Sequence, residues 1–304
     1  MDMDKFSFLI QEDLVDERID KCLSILMDTL SRSYIQKLIK DGMVSVNNKV
    51  VKSNYRVKND DEISFYLPKS IEPEILAQDI PLDILYEDSD VIVVNKPKGM
   101  VVHPAAGHYK DTLVNGLLYH CKDSLSGING VMRPGIVHRI DMNTTGSLIV
   151  CKNDHAHNHI AAQLKEHSIT RKYHAIVYGL LKDDLGTIDK PIGRSDTDRK
   201  KMAVNAKNGR NAVTHYKVLK RFDKYSYIEC QLETGRTHQI RVHMASIGYP
   251  ILGDDVYSNR SCPFKLEGQC LHAKTIGFVH PSSLKYVEFD APLPDYFIHL
   301  LDIL

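Results

Sequence analysis

The sequence has no apolar stretch long enough to span a membrane. Its first residues, Met1-Asp2-Met3-Asp4-Lys5, offer neither the basic start nor the apolar core of a signal peptide. A cytoplasmic protein without membrane association is therefore expected. The 6 cysteines include no Cys-x-x-Cys pair, and several lie in apolar runs, which favours buried thiols over disulfides or a zinc site. Cys262 and Cys270 are the only close pair. Net charge is missing too: 39 Lys and Arg balance 39 Asp and Glu, a total that by itself argues against a polyanionic partner, because phosphate is gripped by Lys and Arg. There is no internal repeat and no low-complexity segment.

What is present changes that picture. With 304 residues and 43% hydrophobic content, the chain can bury a full core and is long enough for two domains. Its basic residues are unevenly placed. Between Ser31 and Lys58 lie Arg32, Lys37, Lys40, Lys49, Lys52, Arg56 and Lys58 against Asp41 alone. Between Arg199 and Arg221 lie Arg199, Lys200, Lys201, Lys207, Arg210, Lys217, Lys220 and Arg221 with no acid. Either stretch alone reads as a solvated face, but two on a neutral protein point to a nucleic-acid footprint.

From Glu17 to Leu30, Ile19, Leu23, Leu26, Met27 and Leu30 recur at helical spacing and predict an amphipathic helix. A shorter helix follows, with Ser33 as cap, Ile35, Leu38 and Ile39 inward, and Gly42 as its left-handed stop. Residues 43–46 and 49–51 read as strands joined by Asn47-Asn48, which tolerate positive φ. These elements make a small α/β module over residues 1–67, and Pro68, Pro73 and Pro81 mark residues 68–82 as a linker. From residue 83 to 304, strand-like runs dominate, at 91–94, 136–137, 148–150, 173–178, 227–232 and 286–289. Helices are predicted over 112–120 and, capped by Asp154, over 155–167 with Ile160, Ala161 and Leu164 inward. This predicts an α+β domain on a mixed, largely antiparallel sheet.

The first module resembles the RNA-binding domain named after ribosomal small-subunit protein four, which implies that Arg32, Lys37, Lys40 and Lys49 face RNA. In the larger domain, four segments stand out: Asn95 to Pro104 (NKPKGMVVHP), His138 to Gly146 (HRIDMNTTG), Lys172 to Gly179 (KYHAIVYG) and Thr234 to His243 (TGRTHQIRVH), followed by Leu271-His272-Ala273 and Ala291-Pro292-Leu293-Pro294. The second interrupts two apolar runs with more charge than a turn requires. In this order the segments resemble the RluA-type family of pseudouridine synthases over roughly residues 75–304. Ile140 and Thr145 stand where that family usually has leucine and serine.

The resemblance implies isomerisation of uridine to pseudouridine in structured RNA, most often large-subunit ribosomal RNA, by a monomer without cofactor or metal. Breaking the N1–C1′ bond and rejoining the base through C5 needs a nucleophile or base beside the ribose, and a carboxylate suits this. Asp141 is implied as that group, with Arg241 holding it ionised and Tyr173 beside the flipped base. Arg139 is implied to enter the space the base leaves, and His138, Thr144, Lys172, Arg236, His238 and Gln239 to hold the substrate. Lys96 and His103 are expected to shape the pocket floor. His155, His157 and His159 invite a metal reading, but their spacing spreads them around a helix, so solvated histidines are expected.

Two rivals remain. An idle RNA-binding protein has no chemical need for Asp141, Tyr173 and Arg241 together. A glycosidase-like enzyme needs a second carboxylate paired with the first, and no motif supplies one.

Overall fold

The computed structural model describes residues 3–68, 75–105, 107–122, 124–130, 133–198 and 201–304. Arg199 and Lys200 of the second basic stretch, and 69–74 of the expected linker, lie outside the described residues. The chain divides into two units, Met1–Pro73 and Glu74–Leu304.

The first unit contains β1 (Met3–Leu9), α1 (Ile19–Leu26), α2 (Arg32–Lys40), β2 (Val44–Val46), β3 (Lys49–Val50) and β4 (Glu62–Pro68). Asn47 and Asn48 both take positive φ, 49° and 65°, the backbone that a two-residue hairpin with native twist demands. The sheet runs β1-β4-β2-β3, antiparallel throughout, and Ile19, Leu23, Ile35, Leu38, Ile63 and Phe65 form its core with the helices. Helix α1 is shorter than its periodicity predicts. Ile19 N donates to Tyr55 O and Val57 N donates to Glu17 O, which ties residues 17–19 to the segment before β4 instead of to a helical turn. Helix α2 is capped by Ser31, whose Oγ accepts from Tyr34 N, rather than by Ser33.

The second unit follows as β5 (Ile84–Glu87), β6 (Val91–Lys96), α3 (Leu113–Cys121), β7 (Thr145–Cys151), α4 (Asp154–Lys165), β8 (Thr170–Tyr178), β9 (Leu185–Asp189), β10 (Ile192–Arg194), β11 (Met202–Val204), β12 (Val213–Arg221), β13 (Tyr225–Leu232), α5 (Gln239–Ser246), β14 (Leu271–Val279), β15 (Tyr286–Asp290) and α6 (Asp295–Ile303). Nine of these strands form one sheet in the order β5-β6-β7-β14-β8-β13-β12-β9, with β15 also on β14, and β10 and β11 pair separately. Among the described residues the pairings are antiparallel except β7 with β14, which is parallel. That crossing brings two chains very close. Gly146 sits there at φ +107°, and a Cβ on it would collide with the Ala273 carbonyl.

Residues 75–82 run along α3, where Gln78 N donates to Asn115 O and Asn115 Nδ2 to Leu76 O, so this part of the expected linker packs on the second unit. Ile136 makes only an isolated bridge to Val150, whose other side pairs with Ile92 of β6; residues 136–137 are not a strand. Asn153, not Asp154, caps α4 by accepting from Ala156 N. His157 on α4 is buried rather than solvated.

Candidate active site

Three stretches of chain meet where β7 and β14 begin. The loop from His138 to Thr144 leads into β7, β8 contributes Tyr173, and α5 contributes Arg241. Together they bound a cleft of about 390 Å³ lined by Asp141, Arg139, His103, His238 and Arg241. A small pocket of about 60 Å³ adjoins it, where Asp141, Tyr173, Thr144, Arg236 and Arg241 converge on apolar Ile140, Leu232 and Leu271.

Arg241 is the hub. Its Nη1 donates to Asp141 Oδ2 at 3.0 Å, while Nε and Nη2 donate to Asp254 Oδ2 and Oδ1 at 2.7 and 3.0 Å. Burial works against the guanidinium's charge, but the hydrogen bonds and charges of Asp254 and Asp141 outweigh it and raise its pKa above the ordinary value. It stays a cation. The Tyr257 ring lies under it, 5.1 Å from Cζ. Tyr257 also donates or accepts at His238 Nδ1 over 2.7 Å, and His238 Nε2 stands 3.8 Å from Asp141 Oδ1. Burial lowers the pKa of His238, although Asp141 pulls the other way, so this last contact is that of a neutral ring and not an ion pair at neutral pH. Burial likewise raises the pKa of Tyr173, with Asp141 adding to the effect and Arg171 opposing it; the phenol keeps its proton.

Lys96 is buried under the loop. Its Nζ donates to the carbonyls of Pro97, Met100 and Met142 at 2.8, 2.9 and 2.9 Å, which fastens the residue after Asp141 to the end of β6. Burial pushes its pKa down to about 7, while three carbonyl acceptors match the three protons of an ammonium. His103 is 6% exposed, with Nδ1 unpartnered, and burial with Arg133 and Arg139 nearby brings its pKa down to about 4.

Several expected substrate contacts are placed otherwise. Gln239 is saturated: Oε1 accepts from Thr234 Oγ1 and Arg236 N, and Nε2 donates to Val213 O and Thr214 Oγ1. With no free donor or acceptor it braces the start of α5 instead of holding substrate. Lys172 falls on the opposite face of β8 from Tyr173, because side chains alternate along a strand; Arg171 shares the Tyr173 side, and both line one cavity. His138 Nε2 accepts from Ile149 N, fixing the loop to β7, and burial brings its pKa down to about 3. Thr144 Oγ1 accepts from buried Gln269. Arg139 is exposed at the mouth, and Arg236 Nε donates to Asn211 O. In the first unit, Lys37, Lys40 and Lys49 are exposed, but Arg32 donates from Nε and Nη2 to buried Asp20, so its fork is committed to the fold.

Sequence reasoning missed Asp254, Tyr257, Gln269 and Arg171. Asp254 follows Gly253 in a Gly-Asp-Asp run that has no local signature of a buried ion pair, whereas Arg171 could have been found from its two-residue offset to Tyr173. Asp254 lies on the far side of Arg241 from Asp141, while exposed Asp255 lines the cleft together with Asp141. The Asp254 oxygens accept from Arg241, Val256 N and Tyr257 N, which commits that carboxylate to the fold. Among the described residues, the cluster suited to a metal by proximity is Asp88, Asp90 and His280. Their oxygens and nitrogens are already engaged with one another and with Tyr86, Asn153, Ser282 and backbone amides.

The site thus joins a carboxylate held by a buried arginine to a protonated tyrosine and a small pocket on a mixed sheet. The RNA pseudouridylate synthase family model matches residues 90–246 and the S4 domain model residues 17–63. The chain belongs to the RNA pseudouridylate synthase family and is, with it, an enzyme that isomerises uridine in RNA. It is 52% identical over 300 residues to the RNA pseudouridine synthase YlyB of Bacillus subtilis, covering 99% of this chain and 98% of that one. The ribosomal large subunit pseudouridine synthase D of Zymomonas mobilis is 47% identical, covering 94% and 93%. Among solved structures, human RNA pseudouridylate synthase domain containing 1 superposes with a TM-score of 0.58 at 27% identity, covering 71% of this chain and 85% of that one.

Proposed function

We propose that this protein converts uridine to pseudouridine in large-subunit ribosomal RNA and that Asp141 supplies the carboxylate that starts the bond exchange. The observation that carries the assignment is the chain Asp254–Arg241–Asp141, in which one guanidinium fixes the direction of a carboxylate lining an open cleft. The reaction breaks N1–C1′, turns the base and forms C5–C1′; the hydrogen on C5 leaves and N1 takes one up, so no external reagent is needed. Tyr173 lies against the base, its retained proton available for transfer, and Arg139 fills the stack once the uridine has flipped out, at a cost of about a few kcal/mol. Relatives named for the large ribosomal subunit support the choice of RNA. Residues 1–67 act as the RNA-gripping domain through Lys37, Lys40 and Lys49, and 83–304 as the catalytic domain. Because Asp141, Tyr173 and Arg241 come from one chain, a monomer suffices, and the cytoplasm is where such RNA is met.

Asp141→Asn should abolish tritium release from RNA labelled at uridine C5 while RNA affinity stays within a few-fold. Release within about tenfold of the wild type would remove Asp141 from the chemistry, since losing an essential nucleophile costs far more. Mapping pseudouridines by carbodiimide treatment and primer extension, in cells with and without the gene, identifies the RNA.

A further inference from the structure

Among the described residues, Arg171 is a buried cation without a carboxylate partner. It is 7% exposed, its Nη2 donates to the backbone carbonyl of Glu233 at 2.9 Å, and its Nε has no partner. Gly235 makes room for it, since a Cβ there would come within 2.6 Å of Nη1. The cavity it faces holds about 550 Å³ and is lined by Arg139, Lys165, His167, Arg171 and Arg236 beside Tyr173, with no Asp or Glu in the lining. On a protein of zero net charge this is a strong local excess of one sign. Burying a charge unpaired is strongly unfavourable, so a site that keeps one is built for an anion that comes from outside. Burial, and to a smaller degree Arg236, lowers the Arg171 pKa against an opposing pull from Tyr173.

We infer that this cavity binds a backbone phosphate of the RNA next to the target uridine, with Arg171 as its buried anchor. The inference rests on the pseudouridylation reading and extends it to how the substrate strand is held. Arg139, Tyr173 and Arg236 line both this cavity and the small pocket beside Asp141, so a strand whose uridine enters the pocket passes its neighbouring phosphate into the cavity. The planar guanidinium fork matches two phosphate oxygens, and exposed Lys165 and His167 close over the remaining charge. Among the described residues, no acid lines the cavity to compete for the fork.

The test uses the full chain and an in vitro transcript of large-subunit ribosomal RNA. Arg171→Met should weaken binding about tenfold at moderate salt and lower the log-log salt slope by roughly 0.7 to 0.9, the share of one phosphate contact. Lys165→Gln, at an exposed position that leaves the fold intact, should also lower the slope. In phosphate-ethylation interference on the same transcript, one phosphate within about two nucleotides of the modified uridine should block the wild type when ethylated and have no effect on Arg171→Met. Slopes equal to the wild type in both variants, or an unchanged interference pattern, would overturn the inference. Should Arg171→Met fail to fold, the Lys165→Gln slope and the position of wild-type interference decide it. Tritium release by the wild type on this transcript checks the pseudouridylation reading separately, so a protein that turns over RNA yet shows no such phosphate refutes only the cavity's role.

Discussion

Arg241 can present only Nη1 to Asp141 because Asp254 holds its other two edges, so the aim of the carboxylate depends on a residue that never meets substrate. Asp254→Asn keeps the shape but removes the charge and turns one acceptor into a donor facing another donor. The guanidinium should then lose its fixed direction. Single-turnover tritium release is expected to fall on the order of 100-fold, as small misplacements of a reacting group do, with RNA affinity nearly retained. Equilibrium unfolding should show a loss of about 3 kcal/mol, the lower end for a broken buried pair, because Asp141 still neutralises the arginine. A rate within threefold of wild type would mean that Arg241 keeps its aim without Asp254.

The meeting of β7 and β14 is the element on which the site hangs, since β7 carries the end of the Asp141 loop and β14 lies between β7 and the strand of Tyr173. Gly146→Ala places a methyl group against the Ala273 carbonyl at a backbone angle that L-residues avoid, so the two strands must part. A destabilisation of about 3 kcal/mol or more is expected by urea titration; a value under 1 kcal/mol would show that the crossing yields easily. Local chemistry made some elements legible beforehand: the Asn47-Asn48 turn, the helix expected over 112–120 and the strand-like run at 227–232. Others were hidden. Strand β14 was not recognisable, because His272, Lys274 and Thr275 interrupt its apolar run and only partners on both sides stabilise them. Asp141, Tyr173 and Arg241 were legible through four motifs taken together, and the two-residue period of a strand already puts Arg171 on the Tyr173 side of β8; what the sequence could not show is which side of β8 faces the site, because that is settled by its packing between β13 and β14.

Across the whole molecule, acid should loosen the fold through histidines buried in the neutral form. His272 is fully buried, its Nε2 donating to Ala291 O at 3.3 Å and its Nδ1 accepting from Thr145 Oγ1 at 2.8 Å, and burial brings its pKa down to about 4. The unfolded chain takes up a proton near the ordinary imidazole value, well before the folded one does. Stability contributed by the neutral ring is therefore present at pH 7 and lost as pH falls from about 6.5 toward about 4. At about pH 5.5 this one group should already withdraw about 1 kcal/mol. Urea titrations should accordingly fall more steeply with acid for the wild type than for His272→Asn, and parallel curves would show that the ring titrates normally in the fold.

Lys96 gives the catalytic loop a chemical clock. An acylating reagent must reach the nitrogen, yet Nζ is held by three carbonyls and the side chain is shut away from water, so access rather than basicity limits its reaction. The exposed lysines are labelled in the native protein; Lys96 is labelled only while the Met142 carbonyl has let go. Its slow acylation, followed by mass spectrometry of one peptide, therefore counts the openings of the segment that carries Asp141. Bound RNA that steadies the loop lengthens the interval between counts.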